Sequence, residues 1–302
     1  MPLIALVAVA IDWWLGEPRR YHPLVGFGWL AQQIEAKLNP SQQHQQNSQR
    51  WVGVLALTVL IAPLVGLALL LCEQTYLRFV FHTYFLYFAI GHKSLHQHAW
   101  AVSDALNRQD NEAAKLAASY MVSRDSAAID AVPATVESVL ENGNDGVFGA
   151  LFWFFIAGGA GALAFRLVNT MDAMWGYKTP RYFYFGWAAA RLDDLLDYVP
   201  ARLTALTYAL LGKTKLALHC WKNQAPLWDS PNAGPVMSAG AGALGVKLGG
   251  AARYQGEWHN RPTLGAGSAP VAQDIGRALK LVNHGVWVWL LLFLIASGMQ
   301  YA

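Results

Sequence analysis

The chain has 302 residues, of which 55% are hydrophobic and 14% charged, with 13 Trp and a formal net charge of +3. Soluble domains usually carry about 25% charged residues, so this composition excludes a disordered chain, a collagen-like repeat and a highly charged nucleic-acid binder. Nucleic acid is therefore not an expected partner. The composition suits an integral membrane protein whose mild basicity lies in cytoplasmic loops.

Taken in chain order, Met1 to Ile11 is apolar without a basic n-region, and Asp12 interrupts it. It reads as a retained segment and a marginal span, not a signal peptide. Pro40 to Arg50 is a glutamine-rich connecting loop. Trp51 to Cys72 holds no charge and is the clearest span, since a hydrocarbon core of about 30 Å needs roughly 20 apolar residues in a helix. Pro63 would kink that helix without preventing insertion. Phe79 to Gly91 is shorter, contains His82, and could return the chain across the membrane after a short turn from Glu73 to Arg78. Val147 to Phe165 is long enough to cross, but Gly158-Gly159-Ala160-Gly161 at its centre weakens a helix. A straight crossing would put residues 92–146 and 166–284 on opposite faces, so a turn-back is the favoured reading. Gly285 to Ala302 is uncharged and spans. Strand-like alternation is scarce, so the polar regions read as helical too. The expected architecture is all-α: one polytopic membrane domain over residues 1–302, with about four spans and a glycine-broken re-entrant or buried segment. Its helical polar regions lie on one membrane face. Cys72 and Cys220 offer neither a disulfide framework nor a CxxC pair and read as reduced thiols.

Polar residues concentrate in four stretches, 12–23, 92–146, 166–202 and 229–265. The first reads DWWLGEPRRYHP: Trp13 and Trp14 suit the membrane interface, and Asp12, Glu17, Arg19, Arg20 and His22 could line a site there or simply anchor it. In HKSLHQH, His92 and His96 are spaced i,i+4 as zinc ligands can be, but no third ligand is nearby, and a solvated or membrane-proximal helix start is the plainer reading. From Ser123 the chain reads SRDSAAIDAVPATVESVLENGNDG, with Pro133 suited to a first helical turn and Gly143 to a C-cap. Glu137 and Glu141 share a helix face there, where like charges repel unless a cation such as Mg²⁺ or a lysine intervenes. Asn142, Asn144 and Asp145 add oxygen donors. Between Arg166 and Arg202, Leu192, Leu195, Leu196 and Val199 form an apolar stripe; Asp193 and Asp197 share another face, and Arg191 reaches Asp194. Asn169, Asp172, Tyr177 and Lys178 crowd just upstream. Asp229-Ser230-Pro231-Asn232-Ala233-Gly234 precedes Ala239 to Gly250 (AGAGALGVKLGG), which reads either as a glycine-rich loop able to approach a phosphate, with Lys247 as a point charge, or as a run that simply packs tightly against a helix; it lacks P-loop spacing.

In order, DWWLGEPRRYHP, SLHQHAWAVSDAL, SRDS, VESVLENGNDG, LFW, VNTMDAMWGYK, FGWAAARLDDLLDYVPARLTAL, SPNAG and GALGVKLGG resemble the CbiB/CobD family of cobalamin biosynthesis over about Asp12 to Gly265. Three positions depart from the family pattern: Glu17 stands for a common Asp, Gly149-Ala150 for Ala-Pro, and Asp197 for Asn. The resemblance implies an adenosylcobinamide-phosphate synthase, a multi-pass inner-membrane ligase with its site on the cytoplasmic side. Such an enzyme joins the corrinoid adenosylcobyric acid to (R)-1-aminopropan-2-ol phosphate in an amide bond, with ATP as cosubstrate and Mg²⁺. The lipid bilayer and other late cobalamin-pathway membrane enzymes are the expected partners.

The chemistry has its own requirements. A free carboxylate is a poor electrophile, so ATP would convert it to an acyl phosphate; cations offset the phosphoryl charge and a base takes a proton from the ammonium. Under that resemblance, the expected catalytic set is Asp12, Glu17, His22 (a proton acceptor), Arg124, Asp125, Asp172, Lys178 and Arg191. Substrate binding falls to Asn142, Asn169, Tyr177, Arg202, Ser230, Asn232 and Lys247. Metal binding falls to Glu137, Glu141, Asp145, Asp193 and Asp194, and Trp175, Tyr177 and Trp187 could pack on the corrin ring. The alternative is a non-catalytic transporter or sensor of corrinoids or small anions, because broken helices with intramembrane polar groups also serve transport.

Overall fold

The computed structural model describes residues 1–18, 22–39, 47–125, 128–254 and 256–299. Arg19, Arg20 and most of the glutamine-rich loop lie outside the described residues. In chain order the helices are α1 (Pro2–Leu15), α2 (Pro23–Leu38), α3 (Ser48–Cys72), α4 (Arg78–Ala89), α5 (His92–Asn107), α6 (Asn111–Ser119) and α7 (Ala131–Gly143). A π-helical turn, Asn144–Phe148, leads into α8 (Gly149–Trp175), followed by α9 (Trp187–Leu211), α10 (Thr214–Gln224) and α11 (Ala233–Leu244). Four three-residue strands, β1 (Lys247–Gly249), β2 (Ala252–Tyr254), β3 (Glu257–His259) and β4 (Thr263–Gly265), precede α12 (Ala272–Met299).

The all-α expectation holds apart from those strands, which the helical reading of 229–265 omitted. They form two antiparallel ribbons, β1 with β4 and β2 with β3. Each strand is too short for period-2 patterning to register in sequence. Among the described residues, three helices are long and apolar enough to cross a membrane by length and composition: Ser48–Cys72, the composite Ala131–Trp175, and Ala272–Met299. At about 1.5 Å per residue, α1 (14 residues) and α4 (12 residues) fall short of a 30 Å core. Asp12 does not interrupt α1: it lies buried within the helix, which ends at Leu15 before Gly16.

The chain divides into two compact units. One comprises Met1–Gly91 and Gly149–Asp197. Its core joins Phe27 of α2, Leu57 and Leu60 of α3, Phe85 of α4, and Leu163, Leu167 and Trp175 of α8. Helix α8 is not straight. Ala157 (φ −133°, ψ 18°) and Gly158 (φ 65°, ψ −157°) leave helical geometry. A Cβ placed on Gly161 would stand 2.5 Å from the Trp153 carbonyl oxygen, and one on Gly149 would overlap the Phe165 ring. In a straight helix residues 153 and 161 are about 12 Å apart along the axis, so the chain reverses at Ala157–Gly158. The imidazole of His82 fills the break, its Nδ1 accepting the Gly159 N–H at 2.8 Å. In the same unit, Leu195 at the start of α9 is exposed while Asp197 is buried. The stripe is split: Leu195 faces outward while Leu192 packs against the core.

The other unit comprises His92–Phe148 and Tyr198–Ala302. All twelve residues of α11 are buried, which a run of Ala and Gly allows because backbones can approach closely. Ala239 to Leu244 is therefore helix rather than a phosphate-approaching loop, a correction to the sequence reading. Its C-terminal carbonyl at Leu244 accepts from Arg277 at 2.7 Å, a cation placed at the negative end of a helix. A Cβ on Gly242 would lie 2.7 Å from Ala217 Cα and 3.0 Å from Ala217 N on α10. Both are backbone atoms that cannot yield, so Gly242→Ala should overpack this contact by about 1–3 kcal/mol, lowering the thermal midpoint of the detergent-solubilised protein. Gly143, expected as a C-cap, is instead the last residue of α7, which runs on directly into the π-helical turn with Asn144 as its cap; a Cβ on Gly143 would overlap the Tyr208 hydroxyl, which donates to Leu140 O at 3.1 Å. Cys72 and Cys220 are free and buried.

Candidate functional site

In the second unit the densest polar assembly forms around one carboxylate. Glu137 occupies the buried face of α7, its side chain 3% exposed. Arg124 donates to Glu137 Oε2. Arg261, between β3 and β4, donates from Nη1 to Oε2 at 2.9 Å and from Nη2 to Oε1 at 3.3 Å, and the Gly249 N–H of β1 donates to Oε1 at 2.8 Å. Arg261 also donates to Gly250 O at 3.0 Å, and its guanidinium lies 5.3 Å from the Trp228 ring centroid. Neither Arg261 nor Trp228 carries a signal in the sequence: each stands in a short irregular stretch, and only the fold brings them to α7. Glu141, one turn along α7, lies in the field of Asp145, Glu137, Arg124 and Arg261. Asp125 fastens the β2–β3 turn, accepting from Gly256 N at 2.8 Å and pairing with Arg253 at 3.3 Å.

Beyond this cluster, Asn142 donates to Ser138 O and Oγ, both at 3.0 Å. Asn144 donates to Asp145 and accepts from Thr204. The structure brings Arg202, Ser230 and Asn232 together at the start of α11: Arg202 donates to Asn232 Oδ1 at 2.8 Å and Pro231 O at 3.0 Å, and Ser230 Oγ accepts from Ala233 N at 3.1 Å. Lys247 is exposed on β1.

At the start of α5, His92 is buried rather than solvated, its ring edge-on to His96 with centroids 5.1 Å apart. Burial, reinforced by His96, pushes the His92 pKa down to about 4; burial lowers that of His96 as well. Between about pH 6.5 and 4 the unfolded chain thus binds protons that the native state refuses, and stability rises with pH across that window. The thermal midpoint should fall by several degrees from pH 7 to pH 5, and His92→Gln should flatten the dependence, as thermal melts at both pH values will show.

In the first unit, Asn169 donates to Asp193 at 3.4 Å and Arg191 pairs with Asp194 at 3.6 Å. Burial raises the Asp194 pKa, with Arg191 and Lys178 opposing. The Asp172 main-chain carbonyl accepts from Gly176 N at 2.7 Å, and a Cβ on Gly176 would overlap the Asp172 carboxylate. Tyr177 and Lys178 are exposed, Trp175 is buried in the core rather than open to a ring, and Arg166 lies 3.8 Å from Glu17. Asp12 is buried nearby in sequence. His22 caps α2, Nδ1 accepting from Leu24 N at 3.2 Å.

Among the described residues, no three His, Cys, Asp or Glu side chains gather as a metal-holding group. Glu137, expected as a ligand, has both oxygens engaged by two guanidiniums and a backbone N–H, and does not fit that role. Mg²⁺, however, is commonly held by one or two carboxylates together with substrate phosphates and water. Glu141 with Asp145, or Asp193 with Asp194, suits that smaller donor set.

A family model described as CobD/Cbib protein matches residues 5–282. The chain is 51% identical over 296 residues to the "Cobalamin biosynthesis protein CobD" of Chromobacterium violaceum, covering 96% of this chain and 95% of the relative. It is 53% identical over 303 residues to the protein of the same description from Stutzerimonas stutzeri, covering 99% of each. The Mycobacterium tuberculosis protein of that description is 36% identical over 286 residues, covering 91% of this chain and 89% of the relative. No solved structure matches it.

Proposed function

The chain belongs to the CobD/Cbib family of cobalamin-biosynthesis proteins, and from that premise we propose that it is the ligase joining adenosylcobyric acid to (R)-1-aminopropan-2-ol phosphate. The near-full-length match to proteins of cobalamin biosynthesis carries this reading. In the reaction, a corrin carboxylate oxygen receives the γ-phosphoryl group of ATP and ADP departs. The amine then attacks the acyl carbon, inorganic phosphate leaves with the carboxylate oxygen, and the ammonium protons pass to a base and to water.

The residues have distinct tasks in this scheme. In the first unit, Lys178 and Arg191 would pair with phosphate oxygens and Asn169 would orient a polar group; in the second, Arg202, Ser230 and Asn232 offer the same chemistry. Mg²⁺ held by Glu141 and Asp145, or by Asp193 and Asp194, would neutralise charge on the transferred phosphoryl group. The reversal at Ala157–Gly158 supports a re-entrant reading of α8, in which the chain enters and leaves the bilayer by one face. We place that face on the cytoplasmic side of the inner membrane, where ATP is available.

The test is assay of the detergent-purified protein with adenosylcobyric acid, aminopropanol phosphate and MgATP. Amide product should form only with all three present, and Asp193→Ala and Asp172→Ala should lower turnover by about 100-fold or more while expression is retained. Absence of product, with corrinoid uptake into proteoliposomes, would favour a transporter instead.

A further inference from the structure

The unit containing Met1–Gly91 and Gly149–Asp197 carries an apolar groove of about 330 Å³ that the proposed reaction does not use. Its walls are Gly26, Phe27 and Leu30 of α2, Leu64 and Leu67 of α3, and Leu163 of α8. That volume lies within the range of ligand pockets, about 300–1,000 Å³. No charged side chain lines it, so a nucleotide or a carboxylate would find no partner there. In water such a lining would be a binding or aggregation surface.

Two further observations say what covers it. Helix α3 is unbroken, uncharged from Trp51 to Cys72 and long enough to cross a bilayer, yet its most apolar stretch is only 22% buried. The groove therefore opens beside a helix whose exposed apolar face suits hydrocarbon surroundings. At one end, Tyr84 and Phe88 of α4 belong both to the groove and to a smaller cavity lined by Glu17 and His22. Trp13 and Trp14, close by in the chain, are exposed, and exposed Trp pairs mark the level of lipid headgroups. The site is thus apolar at bilayer depth and polar at the interface, which is the chemistry of a phospholipid.

We propose that this groove holds one acyl chain of a bilayer phospholipid, laid along α3 with its headgroup at the level of Glu17 and His22. The site is independent of the ligase reading and is tested without the enzyme assay. Phospholipid phosphorus per chain is measured after prolonged washing in a maltoside detergent, which removes loosely associated lipid. The wild-type protein should retain one tightly held phospholipid per chain. The Gly26 Cβ position faces open space, so Gly26→Trp places an indole in the groove without displacing a neighbour, and most of the retained lipid should be lost. Leu67→Trp fills it from the opposite wall and should do the same, which keeps the test decisive if one variant fails to fold. A wild-type protein washed free of lipid, or variants that keep the same lipid as wild type, would overturn the proposal. So would a change from dimer to monomer in Gly26→Trp with lipid unchanged, since the groove would then seat a second copy of the chain.

Discussion

Replacing Glu137 by alanine is expected to cost about 3–5 kcal/mol, the range found when one member of a buried ion pair is removed. Typical folding stabilities are only about 5–15 kcal/mol, so the variant should melt well below wild type. The argument rests on what is left behind. Arg124 and Arg261 are each 13% exposed and share this carboxylate, while Gly249 N loses its acceptor. Glu141 lies close enough to offset part of the stranded charge, which keeps the expected loss from being larger. Glu137→Gln keeps the shape and one acceptor oxygen, but it turns an amide NH₂ toward guanidinium donors, so it should fall between alanine and wild type. Thermal melts of the three proteins in detergent check the ranking, and equal midpoints would refute it. The same variants separate a structural carboxylate from a ligand: Glu137→Gln should leave the Mg²⁺ concentration for half-maximal activity unchanged, whereas a ligand's loss would raise it.

That network shows where sequence reading succeeds and where it stops. Glu137 and Glu141 are legible as a pair on one helix face, because spacing alone sets it and α7 forms as the pattern demands. The identity of the cation between them is not legible. Arg124 and Arg261, the latter 124 positions further along the chain, pair with Glu137, and only tertiary folding brings them there. Runs dominated by one physical signal are read well: Trp51 to Cys72 and the C-terminal helix are apolar enough that composition decides. Ala239 to Gly250 misleads for the opposite reason. Glycine and alanine suit a flexible loop or a tightly packed helix equally, and the close approach of Ala217 decides for the helix. His22 was legible as a polar residue beside Pro23, but its use as a helix cap depends on a local backbone turn that side-chain chemistry alone does not reveal.

The break in α8 was legible as well, and its chemistry gives the second large effect. Gly158 sits at φ 65°, ψ −157°, a region essentially reserved for glycine, where another residue costs on the order of 1–3 kcal/mol. A methyl group there would also overlap the His82 ring, whose Nδ1 would be 2.7 Å away. Gly158→Ala therefore adds a steric penalty to a backbone one and should destabilise by about 3 kcal/mol or more. His82→Ala should cost about 1–3 kcal/mol, because the buried Gly159 N–H loses its acceptor. The two changes share the steric term: without the imidazole, the alanine methyl has room, while the backbone strain persists. The double variant should thus be more stable than the sum of the single losses predicts, by a coupling of about 0.5–3 kcal/mol. Denaturation of all four proteins in the same detergent measures that coupling. Strict additivity would mean that His82 and Gly158 do not meet, and would remove the imidazole as the wedge that holds the reversal open.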